Sequence, residues 1–342
     1  MMNQVLKADI DRLTAHFAPD AELAGKTLLI TGATGLLGRT LIHCVQAWNR
    51  QWAEKTQILA LVRDRKAAEA LFEATDDLLF VEGDMAHLDA LATRSFDYVV
   101  HLAAPTSSKY FCSHPVETIQ TIVMGTDRLL QMALRQRVSA FVYLSSMEAY
   151  GAVSNDERPL RESDLGFVDL QSVRSSYPEG KRMAENLCLA YCREYGLPVR
   201  MVRLCQTFGP DVPQTDCRVT TTFARNIVAG TDLILKSRGE AASNHCYTLD
   251  AVTAILLILT RGTAGETYNV ASPDTYCTIR EMAEYMVRHF GKGSKVVIDV
   301  DPNAPYPPPT RLRLDISKLL QLGWKPLFEP YVMYEHLIRS ME

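Results

Sequence analysis

Tyr177 and Lys181 stand four residues apart in Tyr177-Pro-Glu-Gly-Lys181, at the start of a run with helical pattern. On a helix that spacing puts both side chains on one face. A tyrosine ionises near pH ~10 and is a poor base at neutrality, but a lysine one turn away stabilises the phenolate. Such a pair can take a proton from an alcohol. The pattern is common by itself, and its bland reading is a surface tyrosine beside a solvated lysine.

A second group of residues is suited to bind phosphate. Gly32, Gly35 and Gly38 punctuate Thr31-Gly-Ala-Thr34-Gly-Leu36-Leu37-Gly38, after the strand-like Lys26–Ile30 and before the helical run Arg39–Gln46. Gly32 would make the tight turn, Gly35 would admit a pyrophosphate, and Gly38 would let helix pack on strand, with the phosphates at the helix N-terminus. This context points to a dinucleotide.

Alternating elements must carry these groups. Strand-like runs cover Thr27–Thr31, Gln57–Val62, Leu78–Glu82, Tyr98–Leu102, Ala140–Ser145 and Val199–Leu204. Helical runs cover Arg39–Trp48, Arg65–Ala74, Val116–Arg137 and Pro178–Tyr195. That order predicts an α/β fold: a doubly wound parallel sheet covered on both faces. Beyond about residue 206 the pattern loosens. Helices are expected at Thr221–Ala229, Asp250–Arg261, Ile279–Phe290 and near Tyr331–Ser340, with a strand near Lys295–Asp299. We divide the chain into an N-terminal helical arm (1–24), a dinucleotide-binding domain (25–205, rejoined by 247–275) and a smaller C-terminal α/β substrate lobe (206–246 and 276–342). In the arm, Val5, Leu6, Ile10, Leu13 and Phe17 share one helical face, which would dock on the body or on a partner.

Bulk properties exclude several classes. With 342 residues, 47% hydrophobic and 22% charged, the chain can bury a large core, and a net charge of -4 argues against nucleic acid or an anionic membrane. Lys7, Asp9, Asp11 and Arg12 break any secretory signal, and Ala254–Leu259 is too short to span a bilayer. The eight cysteines form no C-x-x-C and no zinc-like cluster. A reduced, cytoplasmic chain without metal is expected. Five prolines between Pro302 and Pro309 read as a surface loop.

Between the glycine turn and the tyrosine lie His101-Leu102-Ala103-Ala104 and Leu144-Ser-Ser146-Met-Glu148-Ala-Tyr-Gly151. Farther on come Arg203-Leu204-Cys-Gln206-Thr-Phe-Gly-Pro210, Tyr247-Thr-Leu-Asp250, Tyr268-Asn-Val270 and Asp315-Ile-Ser-Lys with Gly323-Trp-Lys-Pro326. Together, from about Lys26 to the end, these resemble the extended short-chain dehydrogenase/reductase family, a Rossmann-fold family, in its nucleotide-sugar epimerase, dehydratase and decarboxylase branch. The resemblance implies that Tyr177 is the catalytic base, that Lys181 holds the nicotinamide ribose and lowers the tyrosine pKa, and that Ser146 bonds the same sugar hydroxyl. It implies cofactor contacts from Gly32, Thr34, Gly35, Leu36, Leu37, Gly38, Asp84, Met85, Leu102, Ala103, Ala104 and Leu204. An acid such as Asp84 at a strand end could equally cap the next helix. The branch also implies a homodimer through the helices of Val116–Arg137 and Pro178–Tyr195. Ile119, Ile122, Val123, Leu129, Leu130 and Met132, with Leu187, Leu189 and Tyr191, are more apolar than one core face needs.

The dehydratases' Asp-Glu pair is Met147-Glu148 here, so the proton donor for 4,6-dehydration is missing. Ser-Met-Glu, His114-Pro-Val-Glu-Thr-Ile119, Asp216-Cys-Arg-Val219 and Arg174-Ser-Ser-Tyr177 are closer to the UDP-glucuronate decarboxylases. Glu148 is a catalytic candidate or a carboxylate bonded to loop amides. Three positions depart from the branch: Ser243 for a diphosphate-binding arginine, Gln206 for asparagine, and Ile122 for asparagine before Gly125-Thr126. Arg218, Arg238 and Arg311 could compensate, and Lys109, beside Tyr110, could meet a phosphate or sugar hydroxyl. Arg63, at the end of the second strand, stands where NAD-preferring members carry an acid. It suits the 2′-phosphate of NADP, with Arg39 as a second cation; if it stacks on adenine instead, NAD binds.

The expected function is NAD(P)-dependent oxidation of a nucleotide-linked sugar at C4, giving a 4-keto intermediate and most simply an epimerase. UDP-glucuronate decarboxylation, net NADPH-dependent carbonyl reduction and, least, non-catalytic nucleotide sensing are the alternatives.

Overall fold

The computed structural model describes residues 2–153, 158–300 and 309–342. Most of the proline-rich stretch singled out in the sequence, 302–308, lies outside them. Six strands form β1 (Thr27–Thr31), β2 (Gln57–Val62), β3 (Leu78–Glu82), β4 (Tyr98–His101), β5 (Ala140–Ser146) and β6 (Val199–Leu204). A seventh, Thr267–Val270, joins β6, and the sheet runs Thr267–Val270, β6, β5, β4, β1, β2, β3. All its pairings are parallel. Leu28, Leu29 and Ile30 are completely buried, as expected of a central strand covered on both faces. Two apolar cores, one on each side of the sheet, result.

The order reverses between β1 and β4, which opens a crevice at the carboxyl ends of those strands. The glycine turn, the ends of β4 and β5 and the Tyr177 helix meet there. Among the described residues the later segments add three small sheets: Gln206–Phe208 with His245–Tyr247, Leu233–Leu235 with Val296–Ile298, and Ala242–Ser243 between Cys277–Thr278 and Arg311–Leu312.

Three helices differ from the sequence reading. The one after β1 spans Leu36–Asn49, so Gly38 lies within it and Gly35 caps it. The one after β2 spans only Arg65–Glu69. Phe72 turns inward instead, against His43 and Phe80 at 5.1 and 5.7 Å, and that packing overrides helix propensity. The helix after β4 is interrupted by a π-turn at Gln120–Met124 between Pro115–Ile119 and Gly125–Gln136.

The extra apolar residues of that helix divide in two. Ile122, Leu129 and Leu130 are buried in the chain's own core. Val116, Ile119 and Met124, with Met183 and Tyr195 of the helix Ser176–Tyr195, remain exposed. The N-terminal helix Gln4–His16 lies on the body, burying Leu6, Ile10 and Leu13. It also buries Asp9, which accepts a hydrogen bond from the Tyr247 hydroxyl and lies 2.7 Å from His336 Nδ1. Among the described residues no helix is long and apolar enough to cross a membrane.

Candidate active site

The glycine turn is built for close approach. Gly32 has φ +70°, and a Cβ there would lie 2.9 Å from the Ala103 nitrogen and the Leu102 carbonyl carbon. A Cβ on Gly38 would lie 2.2 Å from the Gly32 oxygen. Arg39 N–H is the first in the helix to bond back, to the Gly35 oxygen at 2.9 Å, so the Leu36, Leu37 and Gly38 amides have no intrahelical acceptor. Free amides at the positive end of a helix, over a cradle that side chains would fill, fit a pyrophosphate.

His101 braces the turn from below. Its ring nitrogens bond the Thr31 hydroxyl at 2.6 Å and the Thr126 hydroxyl at 3.0 Å. Thr126 in turn donates to the Ile122 oxygen in the π-turn. Burial pushes His101 down to about 3, with Lys181 adding to the shift, so it is neutral and able to accept from one hydroxyl while donating to the other.

Ser146 ends β5, and its hydroxyl accepts from Glu148 N at 3.2 Å and stands near enough to Tyr177 to favour its phenolate. Tyr177 and Lys181 share the buried face of Ser176–Tyr195. Lys181 Nζ donates to the Leu144 oxygen at 2.6 Å and lies 4.9 Å from the Tyr143 ring centre and 5.8 Å from that of Tyr177. Burial pushes the lysine down to about 7, against the pull of Glu185. Burial also pushes Tyr177 up, and Glu148 adds to this, while Ser146 and Arg174 oppose it. In the protein alone burial therefore outweighs the expected effect of the lysine on the tyrosine. Ile122 packs 3.5 Å from the position of a Cβ on Gly180, between the two residues, where the sequence resemblance called for a polar group.

Glu148 is not bonded to loop amides through its Oε2. Arg174 Nη1 lies 3.0 Å from that atom as an ion pair without hydrogen-bond alignment. The Arg174 guanidinium also lies 5.4 Å from the Phe111 ring centre, and Phe111 stacks on Tyr177 at 4.9 Å and 13°. The sequence singled out Glu148 and the Arg174–Tyr177 run separately, but nothing in it signalled that they meet or that Phe111 joins them, because the members come from three separate segments.

Several expected ligand cations are engaged within the protein. Arg39 is paired with Asp211: its Nη1 lies 2.9 Å from Asp211 Oδ2, and its Nη2 donates to the Asp211 oxygen at 2.6 Å. Arg218 is paired with Asp216 and donates to the Thr207 oxygen at 2.6 Å. An acid two residues upstream was the signal for that pair. Asp84 Oδ1 accepts from the Ala86 and His87 amides, both at 2.8 Å, and so closes its own turn. Burial pushes Asp84 up, but those amides and the His87 ring outweigh it and hold the carboxyl low. Met85 is buried, with its side chain against Gly125. Arg63 is exposed at the end of β2. Lys109 is exposed on the helix Ser108–Ser113, Gln206 is half-buried, and Arg311 stands in register with Ala242, beside Ser243.

A family model described as the NAD dependent epimerase/dehydratase family matches residues 28–271. UDP-glucuronic acid decarboxylase 3 of Arabidopsis thaliana is 34% identical over 232 residues, covering 67% of this chain and 65% of that protein, a little under two thirds of its length. The dTDP-glucose 4,6-dehydratase of Streptomyces antibioticus is 29% identical over 305 residues, 87% of each chain. Among solved structures, a dTDP-glucose 4,6-dehydratase of Streptomyces venezuelae with NAD bound superposes with TM-score 0.75 at 27% identity, over 92% of this chain and 95% of that one.

Proposed function

This chain belongs to the NAD dependent epimerase/dehydratase family, and we propose that it oxidises a nucleotide-linked sugar at C4 to a 4-keto intermediate and acts as an epimerase. The observation that carries this is the meeting of Ser146, Tyr177 and Lys181 at the end of β5, beside a glycine turn shaped for a dinucleotide. Ser146 would orient the sugar hydroxyl, and Tyr177 would take its proton. A nicotinamide dinucleotide bound at the turn supplies the acceptor for the C4 hydrogen and its electron pair. Lys181 would hold the nicotinamide ribose and, once charged, steady the phenolate. The exposed Arg63 favours NADP.

Epimerisation asks nothing further of the chain than a 4-keto sugar that is reduced on its other face, with Tyr177 returning the proton. Met147, buried where a dehydratase would place its acid, speaks against 4,6-dehydration. Ser243 removes a cation that a carboxylate-bearing substrate would miss. Decarboxylation of UDP-glucuronate is the second reading. It is favoured by Glu148 and Arg174 at the base and by the likeness to plant decarboxylases.

Incubation with UDP-, CDP-, GDP- and dTDP-sugars, followed by mass spectrometry and NMR, tests both. A C4 epimer supports the first reading, and a pentose from UDP-glucuronate replaces it with the second. Stoichiometric consumption of NADPH identifies a net carbonyl reductase. Bound cofactor with every sugar inert overturns all three.

A further inference from the structure

We propose that Arg174 is a positioning residue for the Tyr177 base, acting through its ion pair with Glu148 and through the Phe111 ring that it shares with the tyrosine. The proposal deepens the reading of Tyr177 as proton acceptor and rests on it. Arg174 lies in the turn Val173–Ser175, which leads directly into the tyrosine's helix. Its guanidinium covers one face of Phe111, and Tyr177 stacks on that ring as well. The Ser176 hydroxyl donates to the Phe111 oxygen at 3.2 Å, so the arginine, the ring and the tyrosine are fastened to one another.

Glu148 gives the cluster its purpose. A carboxylate beside Tyr177 repels a phenolate, and the buried Glu148 Oε2 has no hydrogen-bond partner to spread its charge. The arginine supplies the opposing charge. Among the described residues, the groups facing Tyr177 are few. From β5 and the following turn come Tyr143, Ser146 and Glu148; from its own helix Lys181; from the preceding turn Arg174. The helix Ser108–Ser113 and the π-turn present Phe111 and Ile122, neither of which titrates. Among these, Glu148 opposes ionisation of the tyrosine, and Arg174 and the Ser146 hydroxyl favour it. Arg174 and Glu148 side chains are 37% and 24% exposed, so as a plain surface ion pair the two would contribute little to stability. Their value would lie in the base they flank.

The test is a double-mutant cycle on the cofactor-bound protein. Arg174→Gln, Glu148→Gln, the double variant and Arg174→Lys are compared with the parent by the pH midpoint of kcat/KM on whichever sugar turns over. The same midpoints are read from the ultraviolet phenolate band, each variant measured against its own Tyr177→Phe background. The phenolate arm needs no sugar, so it decides the proposal even if every sugar is inert. Arg174→Gln should move the midpoint up by at most about one pH unit, because the charge it removes is partly screened. Glu148→Gln should move it down, the double variant should return it near the parent, and Arg174→Lys, which keeps the charge, should restore it. Equal midpoints in parent and Arg174→Gln overturn the proposal, as does ionisation in neither below the pH at which the fold is lost. An Arg174→Gln shift that persists unchanged in the Glu148→Gln background also overturns it.

Discussion

Replacing Gly38 with alanine should weaken dinucleotide binding far more than it weakens the fold. The added Cβ would lie 2.2 Å from the Gly32 oxygen and 2.8 Å from the Ala33 Cα and oxygen. All three are backbone atoms, so no side chain can swing aside, and helix or turn must give by roughly 1 Å to reach ordinary contact. Overpacking costs ~1–3 kcal/mol, and alanine returns ~1 kcal/mol of helix propensity, so the net loss of stability is about 0–2 kcal/mol. The phosphate cradle has no such compensation. A lost charge-assisted hydrogen bond from a displaced amide costs ~1.5–3 kcal/mol, or roughly 10- to 150-fold in Kd. Calorimetric titration with NAD and with NADP reads the binding loss, and urea unfolding without cofactor reads the fold. Gly196→Ala is the control. Gly196 has φ +70° and open space around it, so alanine there should cost about 1 kcal/mol of stability and leave affinity alone. A Gly38→Ala protein that binds either cofactor as the parent does would refute the assignment of this turn to phosphate.

Tyr177→Phe keeps the ring on Phe111 and removes the hydroxyl, so turnover should fall ~10²–10⁴-fold with cofactor affinity unchanged; activity within a few-fold of the parent removes Tyr177 from the chemistry. Arg63→Asp should turn cofactor preference from NADP toward NAD, read as the ratio of the two dissociation constants; an unchanged ratio means the arginine reads no 2′-phosphate. His101 is held at about 3 by burial against 6.5 in the open chain, so between those values the unfolded chain binds a proton that the folded one refuses. Its share of stability is complete above pH 6.5 and drains away as pH falls through that window. Urea midpoints at neutral pH and at about pH 4.5 should diverge less in His101→Gln than in the parent. Light scattering should show about twice the 38.3 kDa chain mass, and Ile119→Asp with Met183→Asp should restore a monomer. Charges at Ile122 or Leu130 would instead break the chain's own core, since both side chains are buried within it.

The bounds of β1 and β2 were legible because strands buried on both faces read as unbroken apolar runs, while β3, an edge strand, and β6, interrupted by Arg200 and Arg203, were legible from their apolar, strand-favouring composition. Ser146, Tyr177 and Lys181 were legible for a related reason: one strand end and one helical turn hold them, and both leave local spacing in the chain. The pairings of the small lobe left none. Ala242–Ser243 and Arg311–Leu312 are two residues each, too short to show a period, and they meet across about 70 positions. The π-turn at Gln120–Met124 was silent because one inserted residue changes neither composition nor capping. Charge commitments were the hardest to read. Arg39 finds Asp211 only once the Gln206–Phe208 strand has brought the following loop over the glycine helix, and Asp211 takes φ +68° to get there.

That last contact has a consequence for how the two parts of the chain work together. Arg39 is the residue after the third glycine, and Asp211 follows directly on the Gly209-Pro210 turn that leads into the smaller lobe. The arginine side chain is 11% exposed, and its Nε is buried without a hydrogen-bond partner. A guanidinium so placed cannot be left unpaired cheaply, although solvent at Asp211 screens the pair. The pair therefore ties the loop after Gln206–Phe208 to the glycine helix at the end where a pyrophosphate would bind. A cation held there adds to the positive field of the helix N-terminus, while Asp211, at 34% side-chain exposure, is the partner that solvent reaches first. Arg39, expected from the sequence as a second cation for the cofactor, thus commits its charge to Asp211, between the glycine helix and the loop that follows Gln206–Phe208.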